Sequence, residues 1–277
     1  MSALVCNQRL IHYETIGRGP PILFLHSWLG SWRTWMPVME ALADSYRALA
    51  LDFWGFGESP AVPEPIGIDT YVEQVLGFVE ELGLVTPHLV GHGLGGVVAV
   101  CVASRAAARV GRVVIAGTPL MGAPLAQAIQ PRGLRRWLPR DPVSALWARL
   151  VREAAEGDSA FDEVIADIEA TRPATLEASV AAVSQVDLRP ALEGLEQPLL
   201  AIYGARDRII PPEQRRWLEQ HVHGQHQVLT FAQSGHFPFL DQSAQFVRVL
   251  REFFAGNGPV EPKAMWKRRV RQREYLR

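Results

Sequence analysis

Residues 89–99 read Leu-Val-Gly-His-Gly-Leu-Gly-Gly-Val-Val-Ala, and this stretch decides the fold. The stretch begins with the end of a short apolar run and continues into a longer apolar segment of helix length. The four glycines between them predict a sharp turn. A buried strand that turns directly into a helix is typical of a βα unit in a parallel sheet.

Short apolar runs alternate with helix-length segments on both sides of this turn. The apolar runs are 22–25, 47–51, 88–90, 113–116, 199–203 and 228–231, and the helical segments are about 33–43, 69–82, 94–107, 212–221 and 242–255. Residues 4–6 and 9–15 flank Asn7-Gln8 and predict an opening β-hairpin. We expect an α/β fold of three layers, with a mostly parallel eight-stranded sheet and helices on both faces.

The alternation breaks between residues 119 and 190, where prolines punctuate a stretch that then becomes helical and contains no strand-like run. This pattern predicts an inserted helical cap, or lid, over residues 119–190. The α/β core then comprises residues 1–118 and 191–256, and residues 257–277 form a basic C-terminal extension.

The composition is that of an ordinary globular protein. The chain has 277 residues, 48% hydrophobic and 21% charged, with a mean hydropathy of +0.03. Since no apolar run reaches the roughly 18 residues of a spanning helix and Met1–Leu10 lacks a secretory pattern, the expected location is the cytoplasm. Two cysteines, Cys6 and Cys101, predict buried thiols rather than a disulfide.

Residues 91–95, Gly-His-Gly-Leu-Gly, resemble the nucleophile elbow G-x-S-x-G of the α/β-hydrolase family, in its serine esterase and lactonase-like branch. Gly91, Gly95 and Gly96 fit the small flanking positions of that motif. Gly93 stands where the family has its serine.

Four further segments strengthen the resemblance, which covers residues 9–255. Residues 24–30, Phe-Leu-His-Ser-Trp-Leu-Gly, resemble the oxyanion loop, and residues 52–59, Asp-Phe-Trp-Gly-Phe-Gly-Glu-Ser, resemble a structural D-x-x-G-x-G-x-S turn. Residues 204–211 and 234–237 resemble the acid and histidine loops. The resemblance implies site-loop residues His26, Ser27 and His92, backbone oxyanion donors at Trp28 and Leu94, and a catalytic pair of Asp207 and His236.

Glycine supplies no nucleophile, so the resemblance implies an acyl hydrolase that is impaired as the sequence stands, whether the loss is natural or engineered. The other candidate groups near residue 93 each have two interpretations. His92 is a packing or a catalytic histidine, and Ser27, where the family usually has glycine, is a neutral loop serine or a relocated nucleophile. Cys101, two helical turns further on, is expected to pack in the core.

Asp207 and His236 either remain as a structural relic or act as a general base on water or substrate. The leading hypothesis is therefore an impaired carboxylic-ester hydrolase. The alternatives are a non-hydrolytic protein that binds a ligand or partner, and an enzyme that works through the Asp–His pair without serine. Each takes a small-molecule ester, lactone or acyl ligand as its partner, and no cofactor or metal site is predicted.

Two basic segments complete the sequence picture. The predicted cap contains Arg132, Arg135, Arg136 and Arg140 around Trp137, either a solvated helix face or a contact for an anionic acyl substrate or carrier. Residues 263–277 have a net charge of +6, from seven basic residues and one acid. This tail is a solvated extension, a segment packed on the body or on a second subunit, or a contact for an anionic partner, and no nucleic-acid or clear membrane module accompanies it.

Overall fold

The computed structural model describes residues 2–28, 30–62, 66–123, 151, 159–222, 224–256 and 260. Its eight strands form one sheet in the order β1-β2-β4-β3-β5-β6-β7-β8, in which only the β1–β2 and β2–β4 pairs are antiparallel. The strands are β1 (Ser2–Cys6), β2 (Arg9–Ile16), β3 (Pro21–Leu25), β4 (Arg47–Leu51), β5 (His88–His92), β6 (Val113–Ala116), β7 (Leu199–Gly204) and β8 (Gln227–Phe231). The mostly parallel eight-stranded sheet is thus confirmed.

Helices cover both faces of this sheet. The central strands β3 to β7 are almost wholly buried, which requires cover on each face. The helices are α1 (Met36–Leu42), α2 (Ile68–Glu81), α3 (Leu94–Arg105), α4 (Asp162–Ala170), α5 (Pro173–Ser184), α6 (Arg189–Glu193), α7 (Pro212–His221), α8 (Pro238–Asp241) and α9 (Ser243–Phe254). Because α1 packs against α9 and α2 against α3, the expected three-layer architecture is confirmed.

The opening hairpin forms where the sequence predicts it. Asn7 and Gln8 both adopt a positive φ, +50° and +63°, as a two-residue hairpin turn with left-handed central residues requires. The pairing runs from Cys6 opposite Arg9 to Ser2 opposite Tyr13. The hairpin lies at one edge of the sheet, far along the strand order from β7 and β8.

Between β6 and β7, the described residues are helical, with α4, α5 and α6 and a single isolated bridge between Met121 and Asp187. Gln214 fixes the chain where it leaves the sheet: its Oε1 accepts from the N–H groups of Leu120 (2.6 Å) and Met121 (3.1 Å), and its Nε2 donates to the Met121 carbonyl (3.0 Å). The cap arginines and Trp137, and the basic tail 263–277, lie outside the described residues.

Among the described residues, no helix combines the length and apolar character needed to cross a lipid bilayer.

Candidate active site

The turn between β5 and α3 centres on Gly93, whose φ of +51° and ψ of −114° put it in a region that L side chains rarely adopt. Its N–H donates to the Ala116 carbonyl (3.1 Å), and its own carbonyl accepts from the N–H groups of Gly96 and Val97. A non-glycine residue held in such a conformation costs roughly 1–3 kcal/mol. Glycine therefore relaxes the turn while its geometry is kept.

The flanking glycine Gly95 allows the turn to lie against the oxyanion loop. A Cβ built on Gly95 would overlap the Leu25 carbonyl at the end of β3. Because nothing larger than hydrogen fits there, residues 26–28 lie directly beside the elbow. The sequence motif on β5 and the loop after β3 are thereby brought together.

The space beside Gly93 holds the Ser27 side chain. A Cβ built on Gly93 would be 3.0 Å from Ser27 Cβ and 3.2 Å from Trp28 Cζ3, and it would be closer still to Ser27 Oγ, well inside van der Waals contact. Ser27 is 2% exposed and Trp28 is fully buried. The Ser27 hydroxyl thus occupies the volume that a side chain at residue 93 would need.

Asp207 and His236 form a hydrogen-bonded pair at the carboxyl ends of β7 and β8. His236 Nδ1 lies 3.0 Å from Asp207 Oδ2, and Asp207 Oδ1 accepts from the N–H groups of Ile209 (2.7 Å) and Ile210 (3.0 Å). Burial alone raises the pKa of Asp207, but the positive charge and hydrogen bond of His236 and the two N–H groups outweigh burial and lower that pKa. An ionised Asp207 keeps the His236 proton on Nδ1 and leaves Nε2 as the acceptor.

His236 faces the elbow. Its ring packs 6.3 Å from the Trp28 ring and 4.7 Å from the His92 ring, measured between centroids. A Cβ built on Gly117, which follows β6, would be 3.1 Å from His236 Cε1 and Nδ1. His236 Nε2 is buried and makes no hydrogen bond within the described part of the chain.

His26 uses both ring nitrogens to hold the oxyanion loop. Its Nδ1 donates to the Ser27 carbonyl (2.7 Å), and its Nε2 accepts from the Phe53 N–H (2.9 Å). The ring is fully buried, and this burial lowers the pKa of His26. A neutral His26 with its proton on Nδ1 therefore fixes the backbone of Ser27.

His92 makes the contacts of a structural side chain. Its Nε2 lies 3.0 Å from the His236 carbonyl, and its ring packs on Phe237 and Phe239. Burial, followed by the neighbouring His236, holds the pKa of His92 well below its usual value. The ring is neutral at physiological pH and supports the loop that carries His236.

The two expected oxyanion donors lie on the two segments that meet at Gly93. Leu94 is the first residue of α3, so its N–H has no acceptor within the helix, and the helix N-terminus favours negative charge nearby. Trp28 follows Ser27, whose carbonyl is held by His26. Leu29, the next residue of this loop, lies outside the described residues.

The turn at residues 52–59 holds the oxyanion loop from behind. The buried Asp52 accepts at Oδ1 from the Trp32 N–H (2.9 Å), and at Oδ2 from the Glu58 N–H (2.9 Å) and from His12 Nδ1 (2.9 Å). The hydrogen bond to Asp52 contributes most to the raised pKa of His12, with burial opposing it. One carboxylate therefore ties the hairpin, the D-x-x-G-x-G-x-S turn and the loop after β3 together.

Asp167 is a second buried carboxylate, and no sequence motif predicted it. Asp167 on α4 accepts from Ser31 Oγ (2.6 Å), and burial raises its pKa to about 6. It borders a cleft of about 300 Å³ together with Arg33 and Arg172, whose lining does not include Gly93 or His236. This cleft lies between the 52–59 turn and α4, beside the site rather than in it.

Comparison with known proteins gives consistent matches. A model of the alpha/beta hydrolase fold matches residues 20–243. Pimeloyl-[acyl-carrier protein] methyl ester esterases from Aeromonas hydrophila and Xanthomonas oryzae are 29% and 31% identical, over 88% of this chain and 98% and 99% of their own lengths. The enol-lactonase of Burkholderia xenovorans (22% identity, 92% of this chain and 100% of that one) and an esterase of Thermogutta terrifontis (20%, 92% and 98%) superpose with TM-scores of 0.78 and 0.77.

Proposed function

Because the chain belongs to the α/β-hydrolase fold family, among its esterase- and lactonase-like members, we propose that it hydrolyses small acyl esters through Asp207 and His236. The observation that carries this proposal is the 3.0 Å contact between His236 Nδ1 and Asp207 Oδ2, with His236 Nε2 buried and unpartnered in the described part of the chain.

His236 acts as the general base in this proposal. Asp207 orients the imidazole and stabilises its protonated form, and Nε2 removes a proton from the attacking oxygen. The same nitrogen then returns that proton to the leaving alcohol. Positioned proton transfer of this kind contributes on the order of 10²–10⁴ to the rate.

The backbone N–H groups of Trp28 and Leu94 are the proposed donors to the developing oxyanion. Gly95 lets the elbow lie against the loop after β3 and His26 holds the Ser27 carbonyl, so both donors have a fixed backbone while residue 93 is glycine. An ester carbonyl that accepts hydrogen bonds from these donors lies near His236, because the His236 ring packs against Trp28. The relatives are methyl ester esterases, so the panel of test substrates begins with acyl methyl esters.

The proposal also divides the chain into a core and a lid. The segment 119–190 forms a lid that selects the acyl group, on the two-part core of residues 1–118 and 191–256. The anchor at Gln214 supports this division, because it holds residues 120 and 121 where the chain leaves β6. The basic C-terminal extension, residues 257–277, has no assigned part in hydrolysis.

The test compares the wild-type chain with His236→Ala on p-nitrophenyl esters of increasing acyl length and on acyl methyl esters. We expect kcat/KM to fall by about 10²–10⁴ in His236→Ala. His221→Ala, at an exposed histidine on α7, is the matched control and keeps wild-type activity. Equal rates in the wild type and His236→Ala would overturn the proposal.

A non-hydrolytic binding protein is the second candidate, favoured by the lack of a nucleophilic side chain at residue 93. It predicts saturable ester binding in a thermal-shift assay with no turnover by the wild type. Hydrolysis that depends on His236 eliminates this candidate, whereas saturable binding without turnover establishes it.

A further inference from the structure

We propose that Ser27 is the catalytic nucleophile of this site, and that its hydroxyl replaces the one that residue 93 lacks. The inference rests on the proposed function, because it takes His236 as the base. It assigns the attacking oxygen to the loop after β3 instead of to the elbow.

The Ser27 hydroxyl lies where a side chain at residue 93 would begin. Ser27 Oγ lies inside the van der Waals envelope of a Cβ built on Gly93, and Ser27 Cβ and Trp28 Cζ3 are 3.0 Å and 3.2 Å from the same point. The hydroxyl therefore lies within about one bond length or two of the place where an elbow side chain would begin. It is on the side of the elbow that faces Trp28, the ring against which His236 packs.

Ser27 differs from the other buried serines and threonines around the site in its hydrogen bonding. Other buried hydroxyls there are satisfied: Ser31 Oγ donates to Asp167 (2.6 Å), Thr118 Oγ1 to the Ala116 carbonyl (3.1 Å) and Ser59 Oγ to the Asp52 carbonyl (2.8 Å). Among the described residues, Ser27 is the one serine or threonine whose buried hydroxyl makes no hydrogen bond. A buried hydroxyl without a partner costs stability; Tyr71 Oη is the other such hydroxyl among the described residues, but Ser27 Oγ is the one that lies against Gly93.

The complementary group is equally unsatisfied. His236 Nε2 is a buried acceptor without a partner in the described part of the chain, and its proton is held on the opposite nitrogen by Asp207. Ser27 Oγ–H is a buried donor without an acceptor. Both groups adjoin Trp28, so rotation of the Ser27 side chain on its fixed backbone can bring this donor and this acceptor together when an ester is bound.

The backbone of Ser27 is held rigidly by the neighbouring histidine. His26 Nδ1 donates to the Ser27 carbonyl (2.7 Å), while Phe53 N–H fixes the other face of the same imidazole (2.9 Å). A nucleophile needs a fixed backbone to attack from one direction. Glycine at residue 93 supplies the room that the Ser27 side chain uses.

The reaction balances without any further reagent. Ser27 Oγ attacks the ester carbonyl carbon while its proton passes to His236 Nε2, and the carbonyl oxygen takes the negative charge. As the tetrahedral intermediate collapses, the bond to the alcohol oxygen breaks and His236 returns the proton to the alcohol. Water then attacks the Ser27 ester by the same steps, and Ser27 Oγ regains its proton as the acid leaves.

The experiment labels the folded wild-type chain with a fluorophosphonate probe and locates the adduct by peptide mass spectrometry. We expect one adduct, on Ser27, and at least a 100-fold slower labelling in Ser27→Ala and in His236→Ala. Ser31→Ala removes a serine from the same segment and is the matched control, which labels at the wild-type rate. The position of the wild-type adduct decides the question even if Ser27→Ala fails to fold.

Failure of this inference is distinguishable from failure of the proposed function. If the wild type hydrolyses esters with dependence on His236 but carries no adduct on Ser27, water or another group is the nucleophile and only this inference is overturned. If neither hydrolysis nor labelling depends on His236, the proposed function fails and the inference fails with it.

Discussion

Ser27 Oγ and a side chain at residue 93 compete for one volume. A Cβ at residue 93 would be 3.0 Å from Ser27 Cβ and nearer still to Ser27 Oγ, at a backbone φ of +51°. The two residues are 66 positions apart in the chain, yet neither can be changed to a larger residue without consequence for the other. This relationship makes substitutions at the two positions interdependent.

Stability measurements on Gly93→Ala, Ser27→Gly and the double variant test this dependence. We expect Gly93→Ala to lower the free energy of unfolding by about 2–4 kcal/mol, from backbone strain together with crowding against Ser27. Ser27→Gly removes the crowding, so the double variant should recover at least about 1 kcal/mol relative to additivity. Urea denaturation of all four proteins gives the cycle, and additive effects within about 0.3 kcal/mol would contradict the shared volume.

Asp207→Asn tests the orienting carboxylate. The amide can still occupy the space, but it no longer stabilises a protonated His236 or dictates its tautomer. We expect kcat for ester hydrolysis to fall by about 10²–10⁴ while KM changes little. Asp187→Asn, at an exposed aspartate paired with Arg189, is the control. A wild-type kcat in Asp207→Asn would show that the pair is only structural.

His26→Phe tests the support of the oxyanion loop. Phenylalanine fills a similar volume but leaves the Ser27 carbonyl and the Phe53 N–H without their buried partners. Each orphaned group costs about 1–3 kcal/mol, so we expect a total loss of about 2–5 kcal/mol in the free energy of unfolding. Chemical denaturation measures it, and a loss below about 0.5 kcal/mol would mean that the loop holds its position by other contacts.

Asp167 gives the fold a pH dependence of its own. Burial raises its pKa to about 6, above the roughly 3.9 of an unfolded aspartate. The folded state therefore binds this proton more tightly, and stability falls as the pH rises from about 4 to 6. Asp167→Asn removes this loss and keeps an acceptor for Ser31. We therefore expect its free energy of unfolding to exceed that of the wild type by on the order of 1–3 kcal/mol above pH 6, and to match it near pH 4.

Thermal unfolding between pH 4 and 8 checks the Asp167 prediction. Glu177→Gln, at an exposed acid on α5, is the control and should show a wild-type pH profile. An Asp167→Asn protein that is less stable than the wild type at pH 8 would mean that the ionised carboxylate is favoured by its surroundings despite its burial.

Much of the fold was predictable because each local signal has a local cause. The apolar runs became β3 to β8 within one or two residues at each end, and Asn7-Gln8 became a hairpin turn in which Asn7, a residue enriched at positive φ, is the first central residue. The strand order, in which β4 lies between β2 and β3, has no signature in periodicity. It was not predicted, because strand order depends on pairing between segments that are distant in the chain.

The site was predictable only where a motif marks it. Asp207 and His236 each follow a buried strand, and parallel neighbours bring such loops together. Contacts between distant segments gave no signal: Ser31 meets Asp167 across 136 positions, and Leu120 meets Gln214 across 94. The overlap of Ser27 with a side chain at residue 93 is another such contact, since it depends on how two loops pack in space and not on the spacing of residues along the chain.

The most direct test moves the hydroxyl between the two positions. Esterase kcat/KM is measured for the wild type, Ser27→Gly, and the double variant Ser27→Gly/Gly93→Ser, each verified as folded by its thermal transition. We predict activity in the wild type, a loss of at least about 100-fold in Ser27→Gly, and recovery in the double variant, because His236 then has a hydroxyl at the elbow. A Ser27→Gly protein that hydrolyses esters as fast as the wild type would contradict a catalytic role for Ser27.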